Sequence, residues 1–189
     1  MESLYKQFSD SIQRIKLKSL PCAVFCSAPY GIRFQIGGDE DVYLGDHRKP
    51  NGAYIENAVD WALRIYTQLP AAPDILRIDE CHGLSIPGLP KPDQEVGDSS
   101  YWSIPKEPVF LRNLFREIVK AEIDSTGIEN LVSNVYFLNS QKDVLFHLYD
   151  DRGADVVAAD KEILRSLYES CKDWILDFDW EKIDSLFEK

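Results

Sequence analysis

Two β-prone runs joined by a short polar turn constrain the fold of this chain more than any other feature. Residues 144–149 read VLFHLY, residues 155–159 read DVVAA, and Asp151-Arg152-Gly153 lies between them. β-branched and aromatic residues favour strands, and a glycine supplies the positive φ that a short hairpin turn often needs. The pattern therefore predicts an antiparallel β-hairpin that turns at these three residues.

The rest of the chain alternates between helical and strand-like spacing of its apolar residues. The predicted helices are residues 3–17 and 53–69, one that begins at Leu111 and ends at residues 125–127, one that begins after Asp160 and one that begins after Asp179. The predicted N-caps are Asn51, Asp160 and Asp179. The further predicted strands are residues 32–36, 42–44 and 131–138, and one that begins at Ile75 and ends near Cys81. Strands in two groups, with helices between and after them, predict an α+β fold: a mainly antiparallel sheet of about five to seven strands with helices packed on it.

Two short motifs near the N-terminus carry their own structural expectations. Gly37-Gly38-Asp39 predicts a hairpin turn that joins the strand before it to the strand after it. Cys22 and Cys26 lie four residues apart in an apolar run between two prolines, which predicts a short strand with both thiols in the core.

Residues 83–108 differ from the rest of the chain because they contain five of its ten prolines. This composition predicts a long loop or insertion without regular structure, which Tyr101 and Trp102 would dock onto the body of the domain. The chain is otherwise the size of one domain, so residues 1–189 are predicted to form a single unit.

The charge of the chain restricts its partners. The formal net charge is −11, and residues 150–189 alone hold 12 acidic and 6 basic residues. Such a surface disfavours nucleic acids and anionic membranes and suits a cationic protein. There is no secretory signal pattern, no apolar run long enough for a membrane span and no zinc-like spacing of the four cysteines, so we expect a cytoplasmic, reduced protein.

The polar turn itself is open to three interpretations. Asp150 or Asp151 can accept backbone N–H bonds within the turn, with Arg152 pairing to a nearby carboxylate. Alternatively, Asp150, Asp151 and Asp155 bind a basic group of a partner, or they converge on a metal ion. The regular oxygen spacing and closing glutamate of a calcium loop are absent, so no metal or other cofactor is predicted.

Nucleophilic catalysis is the main enzymatic alternative. It would use Cys81, His82 or His147, since the members of a catalytic triad assemble in space rather than in sequence. No GxSxG elbow, HExxH, Cys-x-x-Cys or kinase motif occurs in the chain. His147 alternates with apolar neighbours and is expected on the exposed face of its strand. The sequence therefore favours a protein that is not an enzyme.

Acids and aromatic residues alternate in the C-terminal segment. Trp174, Ile175, Phe178 and Trp180 are expected to anchor this segment in the core, with a recognition surface as the alternative. The acids that would contact a partner there are Asp173, Asp177, Asp179 and Glu181. The predicted contact residues of the turn region are Asp150, Asp151, Arg152 and Asp155.

Three stretches together resemble a known family. IRFQIGG at residues 32–38, YDDRGADVVA at residues 149–158 and WILDFD at residues 174–179 resemble the uncharacterised bacterial domain of unknown function 3885. The resemblance implies a bacterial cytoplasmic setting and a small stand-alone domain, and it brings no activity with it.

Size, charge and missing catalytic motifs together lead to a functional expectation. We expect a non-enzymatic, acidic protein-binding domain, most simply an immunity protein that neutralises a cognate, basic toxin domain. The alternatives are a small enzyme with a cleft between the sheet and the 83–108 loop, or a regulatory subunit of another complex.

Overall fold

A seven-stranded antiparallel sheet forms the centre of the fold in the computed structural model, which describes residues 2–21, 23–38, 40–45, 49–80, 85–124 and 134–188. The strands are β1 (Gly31–Gln35), β2 (Tyr43–Leu44), β3 (Lys49–Pro50), β4 (Ile75–Asp79), β5 (Gln94–Val96), β6 (Ser99–Ser103), β7 (Val135–Asn139), β8 (Val144–Leu148) and β9 (Gly153–Ala158). The α-helices are α1 (Leu4–Ile15), α2 (Gly52–Thr67), α3 (Leu111–Lys120), α4 (Lys161–Cys171) and α5 (Trp180–Phe187). The predicted α+β fold is confirmed.

The strands of the large sheet follow the order β1-β9-β8-β7-β4-β6-β5, and all neighbours are antiparallel. The predicted hairpin is confirmed as β8 and β9, in which His147 lies opposite Asp155. The other neighbour of β9 is β1, in which Arg33 lies opposite the same Asp155. Three charged or titratable side chains therefore occupy one cross-strand row.

Both faces of the sheet are covered. One face, which includes Phe137 and Phe146, packs against α2, α3, α4 and α5. The other face, which includes Tyr136 and Leu145, packs against α1 and the segment that follows it. Successive residues of a strand point to opposite faces, so covering both faces buries every residue of β7, β8 and β9.

The helix starts follow the predicted capping residues in two of three cases. The Asn51 side chain accepts a hydrogen bond from the N–H of Ala53 at 3.0 Å, and Asp160 accepts one from the N–H of Glu162 at 3.0 Å. Asp179 precedes α5 but makes no capping bond. The predicted end of the third helix at residues 125–127 lies outside the described residues.

Neither of the two N-terminal motifs forms the structure predicted for it. β1 pairs with β9, whereas β2 pairs with β3 in a separate two-stranded sheet, so the hairpin predicted at Gly37-Gly38-Asp39 was wrong. Asp39 itself lies outside the described residues, as does Cys22. The expected core strand around Cys26 is instead a 3-10 turn, and Cys26 is exposed. The N–H of Phe25 in this turn donates to a carboxylate rather than to a strand neighbour.

The proline-rich stretch contains a hairpin, contrary to the expectation of an unstructured loop. β5 and β6 turn at Gly97, whose φ is +59°, and β6 extends the sheet by pairing with β4. All five prolines of the stretch flank these two strands, so none of them removes a ladder hydrogen bond. The expected docking of Tyr101 and Trp102 is confirmed: both are buried, and the Trp102 indole N–H donates to the Pro90 carbonyl at 2.9 Å.

Candidate functional site

The Asp150 carboxylate holds the turn between β8 and β9 together. Its Oδ1 accepts from the N–H groups of Arg152, at 2.7 Å, and Gly153, at 3.2 Å. Its Oδ2 accepts from the Arg152 guanidinium, with Nε at 2.9 Å. Asp150 is 3% exposed, while the Arg152 side chain is 70% exposed. The interpretation of this motif as a self-capping turn is confirmed.

Gly153 is required for a different reason from the one predicted. Its φ is not positive; it already belongs to β9. A Cβ at this position would lie 1.9 Å from the hydroxyl oxygen of Tyr149 and 3.2 Å from the Phe34 carbonyl. The glycine therefore provides space for the Tyr149 ring against the backbone of the strand.

Asp151 ties the hairpin to α2. Its Oδ2 accepts a hydrogen bond from the Tyr54 hydroxyl at 2.8 Å, and the residue is 6% exposed. Burial raises the pKa of the Asp151 carboxyl, and it also raises the pKa of Tyr54. This carboxylate is thus directed into the molecule rather than toward solvent.

Asp155 forms the most buried ion pair among the described residues. Its carboxylate is fully buried and accepts from Nε of Arg33 at 2.8 Å, from Nη2 of Arg33 at 3.2 Å and from the N–H of Phe25 at 3.0 Å. Burial raises the pKa of Asp155, and these three donors act in the opposite direction. Arg33 also lies 3.5 Å from Oδ2 of Asp179, so one guanidinium connects β1, β9 and the C-terminal segment.

His147 is fully buried, which corrects the expectation that it lies on an exposed strand face. Neither ring nitrogen bonds to a described residue, and the ring stacks on Tyr136 with 4.8 Å between centroids. Burial, with a smaller contribution from Arg33, lowers the pKa of His147 to about 3. The prediction failed because α1 and the segment after it cover this face of the sheet.

The C-terminal segment presents a different surface. Ile175 is buried and lies opposite Phe34 in an isolated β-bridge, while Trp174 and Trp180 are half-buried. Phe178, expected in the core, is 91% exposed. The exposed acids around it in sequence are Asp173, Asp177 and Glu181. We call Phe178 and these three acids the acidic–aromatic face.

The sequence-predicted partner residues therefore separate into two groups. Four of them, Asp150, Asp151, Asp155 and Asp179, are buried and have internal partners. The other four, Arg152, Asp173, Asp177 and Glu181, are exposed.

Three carboxylates lie close enough together to be considered as metal ligands. Glu122, Asp150 and Asp151 each have one carboxylate oxygen within 4.8 Å of the others, and Asp155 is not part of this trio. The internal donors described above already occupy both buried carboxylates of this trio.

A groove of about 360 Å³ lies beside the acidic–aromatic face. Its lining residues are Gln35, Gly37, Gly38, Trp61, Asp173, Trp174, Ile175 and Asp177. Trp61 of α2 meets Trp174 edge to face, with 5.3 Å between ring centroids. Sequence reasoning missed Trp61 because helical spacing assigns it only to α2 and carries no signal that it meets a residue 113 positions later.

A larger cavity, of about 490 Å³, lies between α1 and strands β4 and β6. Arg77 and Asp79 line it as a pair, with Nε of Arg77 2.7 Å from Oδ1 of Asp79, and Phe8 and Tyr101 flank the guanidinium. Val96, Ser99 and Tyr101 of the 83–108 segment also line this cavity. No cysteine or histidine is among its described lining residues, and Cys81 and His82 lie outside the described part of the chain.

Comparison with known proteins gives a lineage. One stretch of 45 residues is 44% identical to uncharacterized protein YnaE of Bacillus subtilis (strain 168); it covers 24% of this chain and 21% of YnaE. No solved structure matches the chain. In the described residues, none of the helices combines the length and apolar character needed to cross a bilayer. The profile of the domain of unknown function DUF3885 matches residues 83–179, just over half of the 189 residues, and the chain belongs to this family.

Proposed function

We propose that this chain is a non-enzymatic protein-binding domain that recognises a basic protein through its acidic–aromatic face. Its role would be that of a bacterial immunity protein, which covers and neutralises a cognate toxin domain in the cytoplasm. The observation that carries the proposal is the exposure of Phe178, at 91%, next to exposed Asp177.

An exposed aromatic side chain with carboxylates around it suits protein recognition. Aromatic residues supply most of the binding free energy in many interfaces, and surrounding charges accelerate the encounter and select the partner. The two neighbours of Phe178 in the chain, Asp177 and Asp179, differ in role: the first is exposed, and the second faces Arg33. Arg33 thereby holds the segment in place, so little ordering is needed on binding.

The partner to test is the C-terminal domain of the protein encoded immediately upstream of this gene. We expect nanomolar association by surface plasmon resonance, with an on-rate that falls steeply as salt rises. Phe178→Ser and Asp177→Lys should each weaken binding at least about tenfold, because an interfacial aromatic or a reversed charge typically costs more than about 1.4 kcal/mol. Co-expression of the chain should also restore growth to cells that produce the upstream domain.

Matched controls lie on the opposite edge of the sheet. Val96 and Glu95 of β5 are exposed, and β5 and β1 are the two edge strands. Val96→Ser and Glu95→Lys should leave the affinity unchanged. If Phe178→Ser and Asp177→Lys bind as tightly as the wild type, the acidic–aromatic face is not the interface. If the chain neither binds the upstream domain nor restores growth, the immunity role is wrong.

A further inference from the structure

The groove next to the acidic–aromatic face combines aromatic rings with negative charge. Its lining includes two carboxylates, Asp173 and Asp177, and no lysine or arginine. Neither carboxylate has a hydrogen-bond or ion-pair partner in the described part of the chain, and both residues are exposed. A cation is therefore the ligand charge that this groove favours.

The aromatic wall of the groove favours one kind of cation over another. Trp61 and Trp174 are both half-buried, so part of each indole remains open to a ligand. Indole is the aromatic ring that attracts cations best, and a planar guanidinium can stack on it while donating to a carboxylate. A lysine ammonium is more strongly hydrated and cannot stack, so it fits this wall less well.

The remaining walls suit an extended side chain. Gly37 and Gly38 present backbone without side chains, and Ile175 supplies apolar surface for a methylene stem. A Cβ at Gly38 would lie 2.3 Å from Oε2 of Glu40, which shows that a third carboxylate adjoins this wall. Asn57 holds that carboxylate through a hydrogen bond of 2.9 Å.

We propose that the groove binds an arginine side chain of the basic partner, with the guanidinium against Trp61 or Trp174 and its N–H groups directed to Asp173 and Asp177. This assignment rests on the proposed function, and it specifies the chemical group of the partner that the groove recognises. Phe178 would contact the partner outside the groove, and the arginine would fix the orientation of the complex.

N-acetyl-arginine amide tests the groove on the isolated chain, without the partner. The chain has four tryptophans, so the indole N–H region of a ¹H–¹⁵N spectrum reports four positions. We expect the Trp61 and Trp174 signals to shift, with half-saturation on the order of 1 mM, as is usual for a ligand of about 15 non-hydrogen atoms. Trp102 is the internal control, because its indole N–H is bonded to Pro90.

Two comparisons determine whether charge and ring are both recognised. N-acetyl-citrulline amide, the neutral isostere, should bind at least tenfold more weakly, and N-acetyl-lysine amide should also bind more weakly. Asp177→Asn and Asp173→Asn should each weaken arginine amide binding about threefold or more, while Glu95→Gln on β5 should not change it. Equal binding of the citrulline compound, or equal binding by both Asp variants and the wild type, would overturn the proposal.

The same probes separate this inference from the proposed function. If the arginine amide shifts the Trp61 and Trp174 indole signals but the chain does not bind the upstream domain, the arginine site in the groove is supported and the proposed function is wrong. If the upstream domain binds through Phe178 but the amide leaves both indoles unshifted, the function stands and the groove assignment is overturned. Arginine amide that binds the groove should also compete with the upstream domain, and Phe178→Ser should not alter amide binding.

Discussion

Acidification should destabilise this protein through His147. The imidazole is fully buried and its pKa is about 3, whereas the pKa of a histidine in the unfolded chain is about 6.5. As the pH falls below 6.5, the unfolded chain takes up a proton that the folded protein does not. The stability associated with a neutral His147 is therefore complete above pH 6.5 and is lost progressively down to about pH 3.

The expected loss follows from linkage. Each pH unit between these two pKa values lowers the free energy of unfolding by about 1.4 kcal/mol, so His147 accounts for a loss of about 2.5 kcal/mol between pH 7 and pH 4.5. His147→Phe keeps an aromatic ring against Tyr136 and removes the titration. Any cost of fitting the larger ring is the same at both pH values and cancels in the comparison.

Urea denaturation of both proteins at pH 7 and pH 4.5 measures the difference. The wild type should lose about 2.5 kcal/mol more than His147→Phe between these pH values. Asp155, whose pKa is raised by burial, affects stability in the opposite direction, but it is present in both proteins and drops out of the difference. If the two proteins lose the same stability on acidification, His147 is not buried in the neutral form and the reasoning is refuted.

Two further predictions concern the carboxylates of the hairpin. Asp155→Asn should lower the free energy of unfolding by about 3–5 kcal/mol, because the Arg33 guanidinium loses its nearest carboxylate and keeps the more distant Asp179, at 3.5 Å. The exposed control Asp173→Asn should stay within about 0.5 kcal/mol of the wild type in urea denaturation. Equal effects of the two substitutions would contradict the prediction. Asp150→Ala should lower the free energy of unfolding by about 1–3 kcal/mol, because two backbone N–H groups lose their acceptor. Arg152→Ala should lower it by less than about 1 kcal/mol, because the Arg152 side chain is 70% exposed. The reverse order in thermal or urea unfolding would show that the ion pair, not the turn, is stabilising.

Local patterns predicted the parts of the fold that depend on neighbouring residues. The β8–β9 hairpin, the Asn51 and Asp160 caps and the α+β class all follow from residue types within a few positions of each other. The pairing of β1 could not be predicted in this way. Its partner β9 lies more than 100 residues away, and the local glycines at 37 and 38 gave a competing turn signal.

The burial of several acidic residues was the main feature of the site that the sequence did not predict. Charge counts assign acidic residues to the surface, yet four of the eight predicted partner residues are buried. Asp155 is neutralised by Arg33, a pairing that only the β1–β9 register reveals. The exposed charge of the C-terminal part is correspondingly smaller than the count of 12 acids suggests. The groove was missed for the same reason, since Trp61 and Trp174 meet only in the folded chain.

Two of the buried acids, Asp155 and Asp179, nevertheless hold the segment that carries the proposed recognition surface. Arg33, held by Asp155, lies 3.5 Å from Asp179, and the Arg33 carbonyl accepts the N–H of Leu176 at 3.1 Å. These contacts fix the chain on both sides of Asp177 and Phe178, and both of these side chains are exposed. Asp155 thus acts on this segment through Arg33 and helps to hold the residues of the acidic–aromatic face in place. Asp155→Asn should therefore weaken partner binding by displacing Phe178, although Asp155 itself is buried and lies outside the proposed interface.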